Sequence, residues 1–256
     1  MNSGRPISIR ALLGVTVLGA ALLAAAGCGG RNSRASESRA REEVHALVQR
    51  VVKAYGGAVS LGKVRAIRAE GIITGTRHRE QGDVVRFFAR PDGLREQRRY
   101  QDHEELSVLL GEDGWSGGGE GELQPLAGAA LDAMRIDAAR LDLPLRLAEQ
   151  ESLLVLLEPD EKGRVLLRAP AGGGLLLDVH VNPKSHRIER TSARIPGPSP
   201  ATFHADLSEF RWVHGVLVPF REDAHVDGVK TAILRFRSVV FNPEIPAGLF
   251  TPPEAP

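Results

Sequence analysis

The sequence predicts an α+β domain in which about eleven short strands form one strongly curved antiparallel sheet, a half-open β-barrel covered by a few helices. Three observations lead there. Two runs of short segments, 64–115 and 153–241, are rich in alternating or β-branched residues and are punctuated by turn signals. A stretch of helical periodicity precedes the first run, and another separates the two. Tight turns between successive strands imply an antiparallel meander, and so many strands in one sheet cannot remain a flat open layer.

The first element is not part of that domain. Arg5 and Arg10 give a positive start, and Ala11 to Ala26 form an almost unbroken apolar stretch. At roughly 16 residues it suits a secretory signal and falls short of the ~20 a spanning helix needs. Ala25-Ala26-Gly27-Cys28 follows, small residues running into the only cysteine of the chain, and resembles the lipobox of bacterial lipoproteins. Residues 1–27 are therefore expected to be an export signal and Cys28 the lipidated N-terminus of the mature chain. That use of Cys28 leaves no thiol and no disulfide to hold the fold. By the same resemblance, Gly29 after the cysteine, where Asp would signal inner-membrane retention, implies the periplasmic face of an outer membrane. Residues 28–41, rich in Ser, Arg and Gly, lack the apolar surface to order themselves and are expected to be a flexible tether to a single domain, 42–256.

Within that domain the first helix is expected over Glu42 to Tyr55. Val44, Leu47, Val48, Val51 and Val52 recur at three- and four-residue spacing, Arg50 and Lys53 lie off that face, and Gly56-Gly57 stops the helix. Strands follow near Val64 to Thr76, Asp83 to Ala89, Leu94 to Gln101, Glu105 to Leu110 and at Trp115. Pro91-Asp92-Gly93 and Glu112-Asp113-Gly114 are turns among them. From Leu126 to Glu149 the period becomes helical, and Pro144 divides it into two short helices. Strands then resume at Leu153 to Leu157, Arg164 to Ala169, Leu175 to Val181, Arg187 to Ile195, Thr202 to Val213, Val216 to His225 and Lys230 to Phe241.

Composition excludes several functions. The chain carries 33 Lys and Arg against 32 Asp and Glu, a balance that gives no basic footprint for nucleic acid. The eight histidines include His180 and His186 beside a turn and His204, His214 and His225 on late strands, but none shows metal-ligand spacing along the chain. Gly117-Gly118-Gly119 and Gly172-Gly173-Gly174 open no helix and lack a following Lys-Ser/Thr, so they are hairpin tips rather than phosphate loops. Gly114-Trp115-Ser116-Gly117-Gly118 spells a nucleophile elbow, yet the residues after it are a poor helix start, which makes Ser116 a turn residue. No catalytic residue, metal or cofactor is assigned.

Two stretches resemble a known family. Val52-Lys53-Ala54-Tyr55-Gly56-Gly57, then Leu61-Gly62-Lys63-Val64-Arg65-Ala66-Ile67 and a strand containing Gly71, is similar to the opening of outer-membrane lipoprotein-sorting-like proteins. Phe210 to Phe220, then Val239-Val240-Phe241-Asn242-Pro243-Glu244-Ile245-Pro246 and Leu249-Phe250-Thr251-Pro252-Pro253, is similar to their final hairpin and tail. The resemblance covers 44–253 and implies a LolA/LolB-like half-barrel that shelters acyl chains beneath helices. Under it, Leu126, Leu131, Met134 and Ile136 would line a lid, and Phe87, Phe88 and Trp115 the sheet side of an acyl cavity. Two function classes follow: a lipid-anchored carrier of lipid or lipoprotein acyl chains, or a non-transporting periplasmic module on the same fold that binds an envelope protein partner or senses envelope stress.

Overall fold

A computed structural model describes residues 29–76, 79–118 and 123–251. The expected signal 1–27 and Cys28 lie outside the described residues. In chain order the elements are α1 (Gly29–Ala54), α2 (Ala58–Gly62), β1 (Ala66–Gly75), β2 (Gln81–Ala89), β3 (Gly93–Arg99), β4 (Glu104–Leu110), β5 (Asp113–Gly118), β6 (Gln124–Pro125), α3 (Gly128–Leu141), α4 (Leu145–Glu149), β7 (Val155–Leu157), β8 (Val165–Gly172), β9 (Leu175–Val181), β10 (Ile188–Ile195), β11 (Ala201–Val213), β12 (Val216–Val226) and β13 (Val229–Phe241). The chain divides into a unit ending at Arg39 and one beginning at Ala40; the packing that follows belongs to the second.

Among the described residues the fold is α+β, with one antiparallel sheet of 13 strands in the order β6-β5-β4-β3-β2-β1-β13-β12-β11-β10-β9-β8-β7. Twelve of the strands carry the expected signals. The thirteenth, β6, is two residues held by Trp115↔Pro125 and Ser116↔Gln124, too short for any periodicity to reveal. Every adjacent pair but one joins strands that follow each other in sequence, so β6 and β7, on either side of the helical insert, end up at opposite ends of the sheet. The exception is β1 with β13, which joins the start of the sheet to its end and fuses two meanders into one layer.

Helix α1 begins at Gly29, not at Glu42, so the stretch expected to be a flexible tether carries helical backbone. Extending an established helix adds one hydrogen bond per residue fixed, and the Arg, Ala and Glu residues there tolerate it. The apolar face itself starts where the periodicity placed it. Val44, Leu47, Val48, Val51, Val52 and Tyr55 are buried and join one core cluster with Leu167, Leu177, Val179, Val181, Ile188 and Ile195 of β8 to β10. The Tyr55 hydroxyl accepts the Ile188 backbone N–H at 3.1 Å, and its ring meets Phe210 edge-on at 6.3 Å. Burial pushes this phenol well above its usual range.

Gly56 ends α1 at φ +110°, where a Cβ would lie 2.0 Å from the Gly215 carbonyl oxygen in the β11–β12 turn. Only glycine permits that approach, which brings the Tyr55 carbonyl to the Leu217 N–H at 3.2 Å. Gly71 serves a similar need at the bulge between β1 and β13, since its Cβ would fall 2.1 Å from the Arg235 carbonyl.

Between the two runs of strands, α3 and α4 are separated at Pro144, as the sequence predicts. Helix α3 lies against β3, β4 and β5 from one half of the sheet and against β8, β9 and β10 from the other. Its Arg135 reaches Glu112 in the β4–β5 turn at 2.7 Å, while a Cβ on Gly173 in the β8–β9 turn would lie 2.9 Å from the same guanidinium.

Candidate functional site

The inner face of β1 to β5 is built in two rows. The first is apolar: the ladder runs Ile67↔Phe88↔Leu94↔Leu109↔Gly114, and Met134 and Ala138 of α3 bury themselves on it. Gly114 belongs here because a Cβ would stand 2.8 Å from the Leu131 Cδ1. The second row, two residues along each strand, starts at Ala69 and is polar from β2 onward: Ala69↔Arg86↔Glu96↔Ser107↔Ser116.

That polar row carries a buried ion network that crosses to α3 and to β12. Arg86 donates through Nε to Glu96 at 2.6 Å and through one terminal nitrogen to both oxygens of Glu222 at 3.0 Å. Arg140 of α3 donates to the same Glu222 at 2.9 Å and to Asp137 at 2.7 Å. Arg98 completes it with a 2.7 Å bond to Glu96. Arg86, Glu96 and Glu222 are 5%, 8% and 4% exposed, so a charge stripped of its partner here would be uncompensated. Burial alone would raise both glutamates; Arg86 and Arg98 overturn that for Glu96, and Arg140 and Arg86 for Glu222, holding both carboxyls below their ordinary values. The Arg86 guanidinium also lies 5.3 Å from the centre of the Phe236 ring.

Two cavities flank this network. A smaller one of about 110 Å³ lies among Tyr55, Phe88, Leu143, Leu145 and Phe241, with Arg90 and Asp142 at its wall. The larger, about 520 Å³, lies between α3 and the inner sheet. Its lining mixes apolar side chains, Leu126, Met134, Ile136 and Leu177 among them, with the polar Arg98, Tyr100, Ser107 and Ser116.

The residues singled out in the sequence divide accordingly. Leu126, Met134 and Ile136 line the larger cavity and Phe88 the smaller one, while Leu131 fills the space over Gly114. Phe87 and Trp115 do not join them. Phe87 precedes an inward Phe88 and faces the other way, where the Arg68 guanidinium sits 5.6 Å from its ring centre; Trp115 pairs with Val108 while its neighbour Gly114 pairs with the inward Leu109. Strand alternation forbids consecutive residues from sharing a face. Ser116 lies within β5 and not in a turn, which removes the strained strand-to-helix corner that a nucleophile elbow needs. Gly172, Gly173 and Gly174 do form the expected hairpin tip, all with positive φ.

The sequence reading missed the network and one histidine cluster. Arg86 carried a signal, a charge at the centre of the alternating set Val84, Arg86, Phe88; Val85 and Phe87 on the other face masked it. His204 and His225 are noted in the sequence, but their linear spacing gives no sign that they meet. His204 and His225 stand opposite each other on neighbouring strands, with Asp206 beside them, and spacing along one strand cannot show that.

No family model and no curated relative matches this chain. Solved structures do. A LolA superfamily protein from Nitrosomonas europaea is 9% identical with a TM-score of 0.50, over 80% of this chain and 97% of that one. A protein from Desulfovibrio piger, of a family whose function is undefined, is 11% identical with a TM-score of 0.50, over 81% and 96%. A Vibrio parahaemolyticus domain named for outer membrane lipoprotein sorting gives 9% identity and a TM-score of 0.48, over 82% and 97%. The fold is thus LolA-like.

Proposed function

We propose that this protein binds amphiphiles, lipid or lipoprotein acyl chains with their polar ends, in a half-barrel cavity beneath α3, as a lipid-anchored envelope protein. The observation that carries this reading is the cavity of about 520 Å³ lined by both apolar and polar side chains. Its volume falls in the range of about 300–1,000 Å³ for small-molecule sites, and such sites combine apolar lining with a few placed polar groups. Acyl methylenes gain from area removed from water along Met134, Ile136 and Leu177, and Met134 adapts to variable chain shape. Arg98, Tyr100, Ser107 and Ser116 give the polar end partners that a wholly apolar interior would lack.

The half-barrel is supported by α3, which touches strands from both ends of the sheet order, as a sheet wrapped around it would require. The LolA-like fold is consistent with an envelope role but carries none by itself. Anchoring through Cys28 at the periplasmic face of an outer membrane rests on the lipobox-like sequence and Gly29.

A second reading has its own observation. Strand β7 ends the sheet among the described residues, and Val155 within it and Leu153 just before it are 52% and 59% exposed. An envelope protein partner adding a strand there would cover them.

Native mass spectrometry with organic extraction, on the chain from Gly29 purified without detergent, separates the two. A co-purifying acyl species near one per chain supports the cavity reading and identifies the ligand class. A bare mass that also refuses added lipid moves the function to the β7 edge.

A further inference from the structure

On the sheet face opposite α3, strands β9 to β12 carry a polar stripe. Thr191, Ala193 and Ala205 are buried toward the core, so alternation turns Ser192, His204 and Asp206 outward. The ladder sets His204 directly opposite His225, and their rings stack with centres 4.2 Å apart and planes 15° from parallel. Asp206 follows His204 on the same face. One ligand atom from each of His204, Asp206 and His225 lies within 4.8 Å of the others, and all three residues are half-buried. We propose that these three side chains form a binding site for a divalent first-row transition ion of the zinc class, with water completing its coordination.

The donor set is right for that ion. Two imidazoles and one carboxylate suit zinc, nickel or copper and disfavour calcium or magnesium, which take oxygen shells. The second shell is already in place. His225 Nδ1 lies 3.0 Å from the Asp223 backbone carbonyl, which can only accept, so Nδ1 carries the proton and Nε2 presents a lone pair. Arg190 holds Asp206 by two bonds of 2.6 and 2.8 Å, fixing the carboxylate while leaving it further acceptor positions.

The nearby cations are accounted for. Arg190 is neutralised by Asp206 itself, and Lys230, opposite His225, is bound to Asp223 at 2.6 Å. Asp223 also holds Arg221 at 2.7 Å, which leaves Asp206 as the carboxylate for the ion. The β12–β13 register breaks between Ala224 and His225, a distortion of the kind that re-aims a side chain beside a site. Converging the two stacked rings on one ion takes a rotation about χ2, a broad and soft torsion.

The test is a zinc titration of the full, untagged chain after chelator treatment, by calorimetry, with cobalt as a spectroscopic probe. One ion per chain is expected, with tetrahedral cobalt bands and no response to magnesium. His204→Gln and His225→Gln should each weaken zinc by at least the roughly 10–100-fold that loss of an outer-shell partner costs. His214→Gln, in the β11–β12 turn, should change nothing, and circular dichroism establishes that each variant is folded. A flat titration, a magnesium response equal to that of zinc, or zinc affinity unchanged in both His204→Gln and His225→Gln would overturn the proposal.

Discussion

Glu222 joins the sheet to α3 through charge, since Arg86 and Arg140 both donate to it within 3.0 Å; Arg86 and Glu222 are buried and the Arg140 side chain is 10% exposed. Replacing it with Gln keeps the shape but leaves Arg86 only Glu96 and Arg140 only Asp137 as charge partners. Thermal unfolding should show Glu222→Gln destabilised by about 3–5 kcal/mol, the usual cost of breaking a buried ion pair from one side. A loss under about 1 kcal/mol, the range of exposed pairs such as Arg68 with Glu70, would mean the network is hydrated. The same residues set a pH dependence. Glu96 and Glu222 are held below their ordinary value of 4.5, so their stabilisation is complete above that pH and is lost as pH falls through the folded-state values. Melting temperature should therefore fall steeply below about pH 4.5 in the native chain, and less steeply in Glu222→Gln. At this scale the sequence was least legible. A charge in an apolar strand marks a buried partner only once its face is known, and Val84 to Phe88 is apolar on both faces.

Elements were far more legible than residues, because a buried helical stripe or an alternating strand repeats its signal. The α1 face from Val44 to Tyr55, the break at Pro144 and most hairpin turns lie where local chemistry places them, but Asp113, Gly114, Gly117 and Gly118, expected in turns, pair as strand β5. What periodicity could not reveal was β6, two residues long, or the start of α1, whose first turns have no apolar face to mark them. Helix α3 bears the clearest functional test. Ala130 lines the larger cavity, is exposed and belongs to no core cluster, so Ala130→Phe puts a ring into open space rather than into packed core. A fluorescent fatty-acid displacement assay should show capture falling about tenfold or more, a loss of at least ~1.4 kcal/mol of binding, with melting temperature nearly unchanged. Capture that survives this variant would place the ligand elsewhere. The end of α1 offers a structural counterpart. Gly56→Ala imposes both a positive φ and a clash with the Gly215 carbonyl, and chemical denaturation should register a loss of at least about 1–3 kcal/mol.

For the whole molecule, sequence neighbours account for every strand pair within each meander, which is why the sheet could be assembled on paper from its turns. The pairing that joins the two meanders could not, because β1 and β13 are separated by most of the chain and nothing local announces their register. The cavity shares that origin: it exists only because inner-face residues from both halves meet across α3. Asn242 fastens this long-range closure. Its side chain accepts the backbone N–H groups of Arg65 at 2.7 Å and Ala66 at 3.2 Å and donates to the Lys63 carbonyl at 2.9 Å, while its own N–H bonds the Ala66 carbonyl. It does so at φ +50°, a conformation Asn tolerates better than most residues. Asn242→Ala thus removes three side-chain bonds at a strained position, and a stability loss of about 1–3 kcal/mol is expected. The kinetics say more. Pairing β1 with β13 must close a very long loop before any contact repays the entropy, so this junction should form after the local hairpins. Interactions made after the transition state act on unfolding alone. In stopped-flow measurements across denaturant, Asn242→Ala should raise the unfolding rate and leave the folding limb where it was. A folding limb that slows in proportion to the lost stability would instead make the β1–β13 junction part of the nucleus, with both meanders assembling around it.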